Sequence, residues 1–308
     1  MKILFMGSAA FAVPSLEALA TSGHEIALVV TRPDKPAGRG MHIASCPVAQ
    51  AALGLGLPLF QPKKVKDAAA IDHFRALSPE LVVVVAYGRI LSKEFLEIPT
   101  RGCVNVHASL LPSYRGAAPI NWAVINGEKE TGVTTQRIVE ELDAGDILLS
   151  CSTAIDEAET AVELHDRLGP MGADLLTKTI DGIAKGTIKP RPQDCAKATY
   201  APILKKEDGH IIWSEPAAKI YNRIRGLKPW PGTYAKLEEK TLRIHEAAAL
   251  PAEHKTAPGT VIESGPHLAI ACGEGALYLL EVQLEGKKRM SAADFLRGHK
   301  VQTGTVLT

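Results

Sequence analysis

LVVVVAYGRIL, residues 81–91, opens on five consecutive apolar side chains with no polar position among them. A strand with one wet face alternates apolar and polar residues, so this run reads as a strand covered on both faces, as in the middle of a parallel sheet under two helical layers. Working outward from it, strand candidates fall at 2–6, 25–31, 57–60, 102–107, 131–139 and 146–155, with helical stretches between them. Alternating strands and helices indicate an α/β fold with a largely parallel sheet. The breakers agree. Gly23 suits the C-cap of a helix at 14–22, Asp67 and Ser92 suit N-caps, and Pro119 suits the first turn of a helix at 118–126. After a helix at 160–184, KGTIKPRPQDCAKATYAP (185–202) carries three prolines and reads as an interdomain linker. Beyond it come one helical pattern at 216–226 and the short alternating segments GTYAKL, KTLRIHEAAAL, GTVIES, HLAIAC and GALYLLEVQ, which suggest a small β-barrel or sandwich.

At 308 residues the chain has room for two domains, and with 46% hydrophobic and 22% charged residues it sits in the ordinary globular range. The formal charge of +1, divided as −1 before residue 206 and +2 from there on, argues against a polybasic nucleic-acid binder but leaves local basic loops open. Five widely spaced cysteines, none in a C-x-x-C pair, read as reduced thiols and exclude a disulfide framework or zinc site. The N-terminus enters directly into a strand pattern without the features of a signal peptide, and the longest apolar run, 81–87, is far short of a membrane span. A cytoplasmic, non-membrane protein is expected.

Two stretches decide between chemistries. The first βα turn, GSAAFAVPS (7–15), has one glycine before the helix and no G-x-G-x-x-G, so the close backbone approach that a pyrophosphate requires is not provided; a nicotinamide or flavin is not expected. GCVNVHASLLPSYRGAAPI (102–120) is the more informative. In a strand at 102–107 side chains alternate, so Asn105 and His107 share one face at the carboxyl end, where open α/β sheets place their ligands. An N-x-H pair can be a satisfied strand-end pair, but it also supplies what acyl transfer needs: an amide donor for a developing oxyanion and a group that exchanges protons near neutral pH. Asp143, in the turn of ELDAGDILL (141–149), is either a turn residue or the carboxylate that orients the imidazole.

NVHASLLPSYRGAAPI together with ELDAGDIL resembles the formyltransferase family that uses 10-formyltetrahydrofolate. VTRPDKPAGRG (30–40), LVVVVAYGRIL (81–91), RGLKPWPGTY (225–234), APGTVIE (257–263) and KKRMSAADFL (287–296) are similar, in matching order, to its methionyl-tRNA-formylating members. The resemblance spans essentially the whole chain. It implies a Rossmann-like catalytic domain over 1–188, a linker at 189–205 and an OB-like β-barrel that binds tRNA over 206–308. It implies Asn105, His107 and Asp143 as the catalytic trio, and a folate site formed by Ser109, Leu110, Leu111 and Pro112 with backbone from Tyr87, Gly88, Arg89, Ile90 and Leu91 and the loop 139–143. It implies tRNA contacts through Arg32, Lys35 and Arg39 in the loop after the second strand. Lys287, Lys288 and Arg289 form a second basic turn, opposed by Glu281 and Glu285, and Arg191, Arg223, Arg225 and Lys228 would extend the track. The activity implied is formyl transfer from 10-formyltetrahydrofolate to the α-amino group of methionyl initiator tRNA, with no metal. Nothing in the sequence marks an obligate protein partner, and a monomer is the default. An amino-sugar acceptor and a non-catalytic RNA-binding protein are the competing readings.

Overall fold

Five apolar residues in a row at 81–85 form a strand in which every position is buried, the central strand that the pattern requires. In the computed structural model, which describes residues 1–37 and 42–308, it belongs to a seven-stranded sheet made of β1 (Lys2–Gly7), β2 (Glu25–Val30), β3 (Leu59–Phe60), β4 (Leu81–Val85), β5 (Cys103–His107), β6 (Glu130–Arg137) and β7 (Ile147–Ala154). Their spatial order is β7-β6-β5-β4-β1-β2-β3. The strands from β1 to β5 pair in parallel, and β6 runs antiparallel to both β5 and β7. One face is filled by Leu4, Met6, Val30, Val82 and Val84 against Phe74 and Phe95, whose rings meet edge to face at 5.1 Å; side chains of the opposite parity, Ile3, Phe5, Val83, Val85, Val104 and Val106, are also buried. The chain builds outward from β1 to β3, then returns to lay β4 on the other side of β1. That reversal opens a crevice at the carboxyl ends of β1 and β4, where ligands of such sheets bind.

Chain punctuation follows the expected chemistry in most places. Gly23 takes φ +75° beyond the helix Val13–Ala20, and Ser92 accepts from the Phe95 N–H at the start of Lys93–Leu96. Asp67 occupies the N-cap position of Ala68–Leu77 with extended backbone, but its carboxylate makes no capping bond. Among the described residues no helix is long and apolar enough to cross a membrane.

Residues cluster into two units: Met1–Pro119 with Glu130–Ala154 and His165–Ala201, and Ile120–Lys129 with Ile155–Leu164 and Pro202–Thr308. The segment expected as a linker at 189–205 is a packed part of the first unit as far as Ala201. Arg191 exchanges two backbone hydrogen bonds with Ile147 on β7, at 2.8 and 2.9 Å. Tyr200–Ala201 pairs in parallel with Arg115–Gly116. Proline-rich composition signals the absence of a helix, but it does not prevent an extended chain from pairing with an edge.

The second unit holds β8 (Thr233–Leu237), β9 (Lys240–Leu250), β10 (Val261–Ser264), β11 (Leu268–Ala271), β12 (Ala276–Leu284) and β13 (Met290–Ser291). Its antiparallel order is β8-β9-β12-β11-β10, with β13 paired to β12. The two outer strands are joined by the tail. Leu307 bridges Leu237 and Val306 bridges Thr260, while the Val261 N–H donates to the Thr305 carbonyl at 2.8 Å and Thr308 N–H to the Lys236 carbonyl at 3.0 Å. Leu242, Ile244, Leu268, Ile270, Leu277, Leu279 and Leu307 fill the interior against Ile220 and Ile224 of the helix Ala217–Gly226.

Candidate functional site

Asn105 and His107 emerge on the same face at the end of β5, as the two-residue period demands, and the loop after β6 brings Asp143 onto them. The Asp143 Oδ1 accepts from Asn105 Nδ2 at 3.5 Å, and its Oδ2 lies 3.7 Å from His107 Nδ1. The carboxylate is further held by Gly116 N–H on Oδ2 and by Gln136 Nε2 on Oδ1, each at 2.9 Å. On the other side of the imidazole, Nε2 donates to the Tyr114 carbonyl at 2.8 Å, because a carbonyl can only accept. Nδ1 is therefore the nitrogen that faces the carboxylate. The ring is 5% exposed, so its orientation is fixed by packing and by this bond.

The backbone around the trio is strained. Ala86, Tyr114 and Asp143 adopt φ values of +45°, +62° and +49°, a left-handed conformation that costs a non-glycine residue about 1–2 kcal/mol. Such residues persist where surrounding contacts over-determine them, and they concentrate at ligand sites. The Asp143 turn is locked from behind by Gly145, where a Cβ would stand 1.9 Å from the Arg137 carbonyl oxygen.

The residues expected around the folate divide by burial. Ser109 is fully buried; its hydroxyl donates to the Ser113 carbonyl at 2.6 Å and its own carbonyl accepts from Thr134 Oγ1 at 2.7 Å. Ser109 thus shapes the loop and offers no side chain to a ligand. Leu111 is buried, while Leu110 and Pro112 are half-buried. Tyr87 and Leu91 point into the core, and burial pushes the Tyr87 phenol above its ordinary ionisation range, which leaves their backbone for the crevice. Arg89 clamps the carbonyls of Pro62 and Lys63 at 3.3 and 2.7 Å. Gly88, at φ +72°, lies beside the Arg32 guanidinium. Ile90, 88% exposed, and the exposed Val139 and Leu142 place apolar side chains on the loops that follow β4 and β6.

The basic residues expected to contact nucleic acid fare differently. Arg39 lies outside the described residues, and of Lys35 only the backbone is described, in the strand Lys35–Ala37 paired with His42–Ala44. Arg32 is exposed. Lys287 and Lys288 are exposed on the turn after β12, whereas Arg289 is paired with Glu281 and with Glu246. Arg225 is no part of a surface track: it is 5% exposed and donates to the carbonyls of Asp156 and Glu159 at 3.2 and 2.9 Å.

Two polar side chains around the trio, Gln136 and Gln193, carry no motif of their own in the sequence, and a third, Arg115, is buried. Arg115, within the NVHASLLPSYRGAAPI stretch, is 1% exposed and is held by Gln193 and by Glu141. Gln136 stands directly opposite Asn105 in the β5–β6 register, a placement that the linear sequence does not display.

Comparison with known proteins bears on what this geometry is for. The family profile described as "Formyl transferase" matches residues 1–180, and that described as "Formyl transferase, C-terminal domain" matches 203–300. The chain is 48% identical over 308 residues to a methionyl-tRNA formyltransferase of Caldanaerobacter subterraneus subsp. tengcongensis, covering 100% of both chains. It is 50% identical to that of Acidobacterium capsulatum, covering 100% of this chain and 99% of the relative. Among solved structures, WlaRD, a sugar 3N-formyl transferase determined with dTDP and 5-N-formyl-THF, shares the fold at a TM-score of 0.68 and 19% identity, covering 94% of this chain and 99% of that one. With both of its sequence regions matched and full-length relatives at about half identity, the chain belongs to the formyl transferase family.

Proposed function

We propose that this protein transfers the formyl group of 10-formyltetrahydrofolate to the α-amino group of methionine carried on initiator tRNA. The observation that supports the reading most directly is the convergence of Asn105, His107 and Asp143 at the end of β5, with donor, imidazole and carboxylate within 3.7 Å of one another through Asp143. In the reaction the amine nitrogen bonds to the formyl carbon, the bond from that carbon to N10 breaks, and the proton lost by the amine passes to N10. Negative charge gathers meanwhile on the formyl oxygen. Asn105 Nδ2 has one N–H directed towards Asp143 and a second available for that oxygen; removing one such donor costs about 10²–10³ in rate. His107 offers Nδ1, since Nε2 is committed to the Tyr114 carbonyl, and a proton held at Nδ1 has the Asp143 carboxylate as counter-charge.

The crevice between the ends of β1 and β4 would take the folate, with backbone of residues 86–91 supplying hydrogen bonds and Ile90, Val139, Leu142, Leu110 and Pro112 supplying apolar contact. Arg32, Lys35 and Arg39 from the first unit, and Lys287, Lys288 and a partly neutralised Arg289 from the barrel over 206–308, would meet tRNA phosphates. Binding would therefore weaken with salt, and each lysine removed would lower the salt slope by about 1.

A transfer assay with charged initiator tRNA, run beside free amino sugars, tests the reading. Transfer to the tRNA by the parent protein and its loss on His107→Ala are expected. Transfer to the sugars alone, or full activity of His107→Ala, would overturn it.

A further inference from the structure

Behind Asp143 runs a row of three oriented polar side chains that starts from a buried cation. Arg115 places Nε and Nη2 on the Gln193 Oε1 at 3.1 and 2.9 Å. That fork fixes which end of the Gln193 amide is which, because the reverse orientation would set an NH2 group against the guanidinium. Gln193 Nε2 is thereby turned onto the carbonyls of Asp143 and Gly145, at 2.8 and 2.7 Å, and approaches Gln136 Oε1 at 3.2 Å. Gln136 in turn has its Nε2 on the Asp143 carboxylate at 2.9 Å. Each amide has its oxygen towards Arg115, whose Nη1 also pairs with Glu141 Oε1 at 3.3 Å, and its nitrogen towards Asp143, so the two amide dipoles point the same way along the row.

The row holds Asp143 at two levels. Gln193 pins the backbone of a residue whose φ of +49° the local chain would not choose, and Gln136 sets the rotamer of its carboxylate. Arg115 and Gln136 are each 1% exposed, which keeps water from substituting for either. The carboxylate lies 3.7 Å from His107 Nδ1, with the two side chains 13% and 6% exposed, and partial shielding from solvent strengthens the interaction of charges at that separation.

We infer that Gln193, oriented by Arg115, and Gln136 are positioning residues for formyl transfer, acting through Asp143 on His107 from outside the substrate crevice. This rests on the functional reading above. It also gives the proline-bearing segment 189–201 a part in catalysis: it delivers Gln193, fastened on either side by Arg191 on β7 and by Tyr200–Ala201 on Arg115–Gly116.

The test uses near-isosteric changes in the full-length protein. Gln193→Glu keeps the oxygen that Arg115 holds but turns a second oxygen onto the carbonyls of Asp143 and Gly145; Gln193→Met removes both polar ends without adding charge. For each we expect kcat to fall by about 10- to 100-fold, the range that small misplacements produce, while KM for folate and tRNA stays within about twofold. Gln136→Glu places a second carboxylate against Asp143, and two such groups share a proton. The acid limb of its kcat profile should therefore move to higher pH, whereas Gln136→Met should lower kcat without that movement. A folding defect would raise both KM values and lower folate binding together, and that pattern, like parental kcat and an unmoved acid limb in these variants, would overturn the inference. His107→Ala, assayed in parallel, separates the two levels: if it is inactive while the glutamine variants match the parent, the inference alone fails, and if it is active the functional reading fails.

Discussion

Replacing Asp143 by asparagine changes one oxygen into an NH2 group, and the structure states what that group would meet. The carboxylate accepts from Gly116 N–H and Gln136 Nε2 at 2.9 Å each and from Asn105 Nδ2 at 3.5 Å. Turned one way, the new NH2 faces the Gly116 N–H and His107; turned the other, it faces the amides of Gln136 and Asn105. Gln136 cannot rotate in compensation, because its Oε1 is approached by a Gln193 amide that Arg115 holds in place. In either orientation a shielded donor loses its acceptor, at about 1–3 kcal/mol, and the remaining bonds fall from charge-assisted to neutral strength. Backbone strain is not a confounding factor, since asparagine tolerates the left-handed conformation at φ +49°. A proton at His107 Nδ1 also loses its counter-charge. Where a carboxylate directly behind a catalytic histidine is made an amide, kcat falls by about 10⁴; with the carboxylate at 3.7 Å we expect about 10²–10⁴. Single-turnover transfer at saturating folate and charged tRNA, with thermal unfolding as control, measures it. A folded Asp143→Asn variant retaining rates within about threefold of the parent would refute the role given to this carboxylate.

Further outcomes follow from groups elsewhere in the chain. Arg225→Met should destabilise the second unit by about 2–3 kcal/mol by orphaning the carbonyls of Asp156 and Glu159, read as a lower urea midpoint, and an unchanged midpoint would remove Arg225 from the structural role. Burial holds the His245 imidazole below its ordinary range, opposed by its hydrogen bond with Gln283 and reinforced by nearby Arg289. The unfolded chain therefore binds this proton first, and the His245 contribution makes the protein lose stability as pH falls through about 6.5; His245→Gln should flatten the dependence between pH 7.5 and 5.5, and an equal slope in the two proteins would contradict this. Burial pushes the Cys103 thiol up to about 12 and that of Cys272 up to about 11, whereas Cys151 and Cys195 are exposed. A thiol reagent at pH 8 should label the exposed pair at once and the buried pair only on unfolding; early modification of Cys103 or Cys272, located by mass spectrometry, would show that the cores open.

Much of the fold was legible because its signals are periodic. LVVVV gives a two-sided strand, and Asn105 and His107 share a face by simple alternation. The basic turn at 287–289 and its opposition by Glu281 were visible in the sequence, but only the structure adds Glu246 from a second strand to the pairing of Arg289. The Arg115–Gln193–Gln136 row was not legible: Gln193 and Gln136 are separated by 57 positions, amide side chains belong to no acid–base vocabulary, and the segment carrying Gln193 has the composition of a tether. Its pairing depends on an available sheet edge, which a linear pattern does not display. Arg115 was visible within the motif stretch, but neither its burial nor its fork on Gln193 was.

The tail that joins the outer strands of the second unit has a meaning for association as well as stability. An unpaired outer strand presents a row of N–H and C=O groups on which another chain can build. Residues 304–308 occupy such groups at Lys236 on β8 and at Val261 on β10, so one short segment covers part of both margins. Losing that segment would do more than lower a melting temperature: it would create two adhesive margins at once, and the shortened chain would be expected to polymerise edge to edge before it unfolds.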